Sequence, residues 1–277
     1  MRIWKYLFTA LMFTAISIWL AVFTSKDRNF HLIACDVGQG DAILAIYGST
    51  QVLIDGGPDN SVLSCLENYV PFWDREIELV VLTHPQLDHY GGLVEVLSRY
   101  KVGTFLTNSF ETSTQGLKAL ENAMGGAEME VLRPDVGTQL RVGMIYLDIH
   151  HPPRGEFSED LNNISIVTVI RFEDFVALLT GDIENEIANQ IAQKNLVKEV
   201  DYIKIPHHGS KNGLTRALLE VSRPQIAVIS AGKNNSYGHP HQEILQMLAD
   251  FGVEVFRTDK DGNIEVVSNG KEWFVRQ

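Results

Sequence analysis

The segment that most restricts the fold is a short apolar run, residues 77–82, followed after Thr83 by His84-Pro85-Gln86-Leu87-Asp88-His89-Tyr90-Gly91-Gly92. Bounded by polar residues and rich in Val, Ile and Leu, the run reads as a buried strand. Such a strand delivers the next loop to a sheet edge, and two glycines let the chain turn tightly into a helix. His84, Asp88 and His89 place two imidazoles and a carboxylate together, a set suited to a borderline divalent metal.

From residue 30 the sequence reads as short β-rich runs punctuated by turns. Strands are expected at 30–36, 42–47, 51–55, 102–107 and 128–132, with Gly48-Ser49 as a hairpin turn. Helices are expected at 61–70, 91–100 and 114–124. The second half predicts strands at 144–150, 165–172, 175–179, 200–205 and 225–229, and helices at 184–194, 214–221 and 241–251. Strands near 253–257, 263–267 and 272–275 close the chain. Strands and helices alternate without a long linker, so one α/β domain of two sheet layers covered by helices fits this order. The polar segment 152–162 reads as a surface loop near the site.

Residues 1–29 form a separate unit. No charged side chain lies between Lys5 and Lys26, and residues 6–24 as a helix cover roughly 30 Å, the thickness of a bilayer's hydrocarbon core. Trp4, Tyr6 and Trp19 suit interfacial positions. Arg2, Lys5 and the α-amine precede the run, and Lys26, Asp27 and Arg28 follow it with one net positive charge, which puts the N-terminus in the cytoplasm and the domain outside. A secreted form after cleavage is the alternative, although Val22-Phe23-Thr24 lacks the small-x-small pattern of a cleavage site. Cys35 and Cys65 are expected as two buried thiols rather than a disulfide.

The motif His-x-x-x-Asp-His-x-Gly-Gly after a strand resembles the metallo-β-lactamase superfamily. More narrowly, Asp36-Val37-Gly38-Gln39-Gly40-Asp41-Ala42, Leu53-Ile54-Asp55-Gly56-Gly57 and Leu179-Thr180-Gly181-Asp182 resemble the C-terminal hydrolase domain of ComEC-type DNA-uptake channel proteins. So do Lys204-Ile205-Pro206-His207-His208-Gly209-Ser210 and Tyr237-Gly238-His239-Pro240. The resemblance runs from about residue 30 to the C-terminus; the channel's many-helix pore is not part of it. It implies an αββα sandwich in residues 30–277, preceded by one transmembrane helix, with metal at the sheet edges. It also implies a ligand set of His84, Asp88, His89, Asp182 and either His207 or His208. Asp182 is shared between two metal positions, and Asp41 and Asp55 fix the ligand loops.

The sequence departs from the superfamily where Gln86 stands in place of a His or Asp, and where Leu161-Asn162-Asn163-Ile164-Ser165 offers no histidine. One well-held divalent ion, Zn2+ or Mn2+, is expected, with the second weak or absent. The expected chemistry is attack of a metal-activated water on a phosphodiester. Asp182 or Asp88 takes the proton, and His239 contacts phosphate or protonates the leaving oxygen. Ser210 and Asn163 are lesser polar candidates, and His150-His151 reads as a strand end. A β-lactamase-like amide or ester hydrolase, and a partly degenerate metal-binding module for nucleic acid or a channel partner, are the competing readings. The formal net charge of -12 counts against a passive DNA-binding module, because such binding rests on Lys and Arg contacts to phosphate.

Overall fold

The structure, a computed structural model, describes residues 2–24, 27–108, 114–155, 158–194 and 196–276. The chain opens with α1 (Arg2–Thr24), followed by β1 (Phe30–Ala34), β2 (Ile43–Tyr47), β3 (Thr50–Ile54), α2 (Ser61–Tyr69) and β4 (Glu76–Leu82). Next come α3 (Leu87–Tyr90), α4 (Leu93–Arg99), β5 (Lys101–Thr107), α5 (Gln115–Gly125) and β6 (Glu130–Leu132). The second half holds β7 (Gln139–Val142), β8 (Ile145–His151), β9 (Val167–Phe172), β10 (Phe175–Leu179), α6 (Asn185–Gln193) and β11 (Tyr202–Lys204). It ends with α7 (Arg216–Ser222), β12 (Ile226–Ile229), α8 (Gln242–Asp250), β13 (Glu254–Arg257), α9 (Thr258–Asp261), β14 (Ile264–Ser268) and β15 (Trp273–Arg276).

The strands form two sheets, in the orders β15-β14-β1-β2-β3-β4-β5-β6 and β13-β12-β11-β10-β9-β8-β7. Period-two alternation sorts their side chains. Leu79 and Val81 of β4 meet Ala177 and Leu179 of β10 in the core between the sheets, while Val80 and Leu82 face α2, α4 and α5. Leu178 of β10 and Ile203 of β11 pack under α6, α7 and α8. Three apolar layers thus make an αββα sandwich, as expected.

Several local differences have physical causes. Leu87–Tyr90 forms its own short helix, followed by Gly91 and Gly92, which pass close to a neighbouring loop. A Cβ on Gly91 would lie 2.0 Å from the Pro58 carbonyl oxygen, and one on Gly92 would lie 2.2 Å from that of Gly56. β7 was not expected, since its Gln139-Leu140-Arg141-Val142 alternation is only four residues long; it is an edge strand held by β8. The segment expected as the start of a strand at 165 follows a 3-10 turn, Leu161–Ile164. Of the expected loop 152–162, residues 156 and 157 lie outside the described residues, as do Lys26 and the side chains of residues 21–24.

The expectation of two free thiols is corrected: Cys35 and Cys65 are joined by a disulfide. The end of β1 and the middle of α2 bring their Cα atoms to 5.9 Å, within bridging range. Along α1, Ile3–Leu20 has a mean hydropathy of 1.5 and none of it is buried, so the helix is long and apolar enough to cross a membrane.

Candidate metal centre

The site lies at one edge of the sandwich, where β3, β4, β10, β11 and β12 end. Asp55 follows β3 and accepts from the backbone N–H of Thr83 (2.8 Å), from Thr83 Oγ1 (2.8 Å) and from His89 Nδ1 (2.8 Å). That last bond fixes the His89 ring and turns Nε2 inward, 3.3 Å from Asp182 Oδ2. His208 is held likewise: Nδ1 donates to the Ser230 carbonyl (3.0 Å) and lies 3.5 Å from Asp41 Oδ1. Its Nε2 then faces Asp182 Oδ2 (3.2 Å) and Asp88 Oδ2 (3.4 Å).

Asp88, His89, Asp182 and His208 thus each present a ligand atom within 4.8 Å of the others. Apart from these approaches to one another, His89 Nε2, His208 Nε2 and Asp182 Oδ2 are buried and make no well-formed hydrogen bond. Buried polar atoms normally find one, so a cluster of partnerless donors aimed at one point fits a cation. Two imidazoles and two carboxylates suit Zn2+ or Mn2+.

Sequence reasoning left His207 and His208 undecided, and the structure brings His208 to the carboxylates. Both histidines adopt left-handed backbone conformations, with φ of 48° and 54°. That conformation costs roughly 1–2 kcal/mol per residue, and it redirects side chains that strand alternation would place otherwise. His207 lines the cavity beside the site, where its Nδ1 has no hydrogen-bond partner.

His84 and Gln86, expected at a first metal position, stand apart from this group. His84 is fully buried with a partnerless Nε2, and its ring centroid lies 4.1 Å from that of His89, but it stands outside the four-residue group. Gln86 Nε2 donates to Asn162 Oδ1 at 2.6 Å, so neutral amides pair with each other where further ligands were sought. Ser210 and Asn163 serve the backbone instead, accepting from the N–H groups of Asn212 and Glu184. His151 is buried with Nδ1 beside the Ser165 carbonyl, as a strand-end residue.

Lys204 was missed. It is fully buried, ion-paired with Asp41, and its Nζ lies 3.5 Å from Asp182 Oδ1. The available signal was a lysine at the end of an apolar strand, where a buried cation needs anionic partners.

Charge in the site is balanced before any cation arrives. Burial alone would raise the Asp182 carboxyl, but His208, His89 and Lys204 together hold it well below the usual range. Burial alone would lower His89 and His208; Asp182 with Asp55, and Asp182 with Asp41, push them well above theirs. Burial and the His89 charge depress His84 to about 3. Burial, then the His208 charge, lower His239 to about 4.

A cavity of about 320 Å³ opens over the group, lined by Gln39, Asp88, His207, His208, Tyr237 and His239 among others. His239 is held through its backbone: its N–H donates to Asn235 Oδ1 (3.0 Å) and its carbonyl accepts from Asn235 Nδ2 (2.6 Å). Its Nδ1 has no hydrogen-bond partner. The Tyr237 ring stacks on His239 at 5.7 Å.

An αββα sandwich with a His/Asp cluster at the strand ends defines a metal-binding, hydrolase-type fold. The chain belongs to the metallo-beta-lactamase superfamily, whose sequence pattern matches residues 35–233. It is 31% identical over 251 residues to ComE operon protein 3 of Bacillus subtilis, covering 83% of this chain and 32% of that protein. It is 27% identical over 263 residues to Recombination protein 2 of Haemophilus influenzae, covering 94% and 30%. The chain therefore spans about a third of the length of these relatives. Among solved structures it is similar in fold to the metallo-beta-lactamase fold protein YhfI of Bacillus subtilis, with a TM-score of 0.61 and 12% identity over 87% of this chain and all of that one.

Proposed function

We propose that the chain is a membrane-anchored, metal-dependent phosphodiesterase that acts on DNA strands outside the cytoplasm. The observation that carries the hydrolase is the convergence of Asp88, His89, Asp182 and His208 with partnerless ligand atoms. The preference for a phosphodiester, and for DNA, is supported by the likeness to ComE operon protein 3 and Recombination protein 2. In this reading residues 1–29 are the anchor and 30–277 the hydrolase domain. A disulfide suits an oxidising compartment and so supports an extracytoplasmic domain. A separate channel protein is the proposed partner, by analogy with the part of the relatives that this chain does not span.

Asp88, His89, Asp182 and His208 would hold one ion, either Zn2+ or Mn2+. A divalent cation there supplies Lewis-acid polarisation of a phosphoryl oxygen and an acidified water. Asp88 is the proton acceptor of choice, since it lines the cavity and its side chain is 30% exposed. Asp182 is fully buried and committed to His89, His208 and Lys204, so its role is to hold charge. His239 is unprotonated at neutral pH, and a cation nearby acts in the same direction as the His208 charge. It therefore offers the phosphate a hydrogen bond rather than a proton, which narrows the role expected from the sequence.

The deciding experiment incubates the full chain with Mn2+ or Zn2+ and single-stranded DNA, bis-p-nitrophenyl phosphate and nitrocefin. Turnover of the first two, about 100-fold or more reduced in Asp182→Ala, is the expected outcome. Full metal-dependent activity in that variant would sink the scheme, and nitrocefin turnover alone would move the substrate to cyclic amides. The Gln86–Asn162 amide pair favours a second reading, a binding module with a degenerate site. Tight binding of one metal equivalent without turnover would support it.

A further inference from the structure

Outside α1, the most exposed large apolar side chains among the described residues are Phe72, at 77%, and Trp73, at 67%. They sit together in the loop between α2 and β4, edge to face with ring centroids 4.9 Å apart. Exposing two packed aromatic rings in water is unfavourable, and a paired tip of this kind marks a contact surface.

The strand register places that tip. β1 begins at Phe30, which pairs with Tyr47 of β2, and Tyr47 pairs with Thr50 of β3. Asp74, next to Trp73, accepts from Gln51 Nε2 at 3.0 Å, so the loop lies against the beginning of β3. Phe30, the Gly48-Ser49 turn and the Phe72–Trp73 tip therefore share one edge of the sandwich. The metal centre, at the far ends of β3 and β4, occupies the opposite edge. Two strand spacings, roughly 10 Å, separate β1 from β3.

The chain enters the domain at this same edge. Asp27 is fastened to it, because His31 bridges Asp27 Oδ2 (3.1 Å) and Glu265 Oε1 (2.6 Å). From Thr24, the last residue of α1, to Asp27 is three residues, a span of at most about 11 Å. If α1 crosses a bilayer, its end holds this edge within reach of the headgroup layer, which is several ångströms deep. Trp settles there with its amphipathic ring at headgroup level, and Phe accompanies it on the apolar face of interfacial segments. The charges around the tip are mixed, with Asp74 and Glu76 against Arg75 and Lys101, and Lys101 paired to Glu76 at 2.9 Å. The contact is thus apolar and does not select anionic lipid.

We infer that the Phe72–Trp73 tip rests in the membrane interface and, with the short tether, turns the metal centre away from the bilayer. The inference builds on the membrane-anchor reading above. Its consequence is a restriction on substrate. β4 alone is seven residues long, about 23 Å, so the cavity opens into water and a phosphodiester within the bilayer surface lies out of reach.

The test uses the full chain in phosphatidylcholine nanodiscs. Replacing Trp4, Trp19 and Trp273 by Phe leaves Trp73 as the sole tryptophan. A blue-shifted Trp73 emission, quenched when the lipid is brominated near the headgroup end of its acyl chains, is the expected result. Adding Tyr237→Trp at the opposite edge, in a chain without Trp73, should give no such quenching. A companion with Trp19 alone reports whether α1 is inserted. Quenching of Trp19 without Trp73 overturns the inference and leaves the anchor standing; quenching of neither overturns both. Where the triple replacement does not fold, subtracting Trp73→Phe from the wild-type chain reads the same quantity.

Discussion

At the residue scale the centre behaves as a set of protons waiting to be exchanged for a cation. In the metal-free chain His89 and His208 are raised well above the usual imidazole pKa by carboxylates that outweigh burial. Their contribution to stability is fully present below the unfolded value, about 6.5, and is lost as pH rises through the raised folded values. Asp182 and Asp41 are depressed, so theirs is present above about 4 and lost on acidification. Thermal unfolding of the metal-free protein should therefore peak between about pH 4 and 6.5 and decline through the alkaline range. Mn2+ or Zn2+ should remove that decline, and metal uptake should release protons below the raised values. A flat profile with and without metal would refute the assignment. Asp55 supplies a separate handle, because it orients His89 without belonging to the group. Asp55→Asn should weaken metal affinity about 10- to 100-fold with the fold intact, measured by titration calorimetry. The residue types of the candidate site were legible in the sequence because imidazole and carboxylate at strand ends have few other uses. The choice of His208 was not, because it depends on two consecutive left-handed residues that no periodicity announces. Lys204 was hidden for the opposite reason, since the run 202–205 masked one charged residue whose partners lie far away in sequence.

At the scale of elements, the disulfide is the feature that local pattern could not give. Cys35 follows β1 and Cys65 lies in α2, at a sequence separation of 30. Each sits in apolar surroundings that a free thiol would suit equally, and only the packing of α2 on the sheet brings them together. Closing a loop of that length stabilises by about 3–4 kcal/mol through the unfolded state. Cys35→Ser with Cys65→Ser should lower the unfolding free energy by roughly that amount, read as a shift in the denaturant midpoint. The same shift should follow reduction of the wild-type chain; no shift would mean the bridge is absent. Strands buried on both faces, such as β4 and β10, were legible from their apolar runs. The edge strand β7 was not, because its pairing with β8 rather than its own composition makes it a strand.

At the scale of the whole molecule the charge and the proposed substrate pull against each other. A chain with a net charge of -12 repels a polyanion at long range, and that repulsion is screened over about 10 Å at 0.1 M salt. A nuclease that gathers DNA through Lys and Arg loses affinity steeply as salt rises. Under the proposed function the attraction would be confined to the metal centre and the histidine-lined cavity, and the net charge of -12 would oppose approach. Raising salt from about 50 to 200 mM should therefore increase kcat/KM on single-stranded DNA, or leave it level. The rate on bis-p-nitrophenyl phosphate, which carries one charge and feels little of the distant surface, should barely move. Comparing the two substrates in one salt series separates long-range repulsion from any effect of salt on the metal. A DNA rate that instead falls 10-fold or more over that range, with the small substrate unaffected, would reveal a basic track on the folded surface. The even spread of Lys and Arg along the sequence would then have been gathered by the fold.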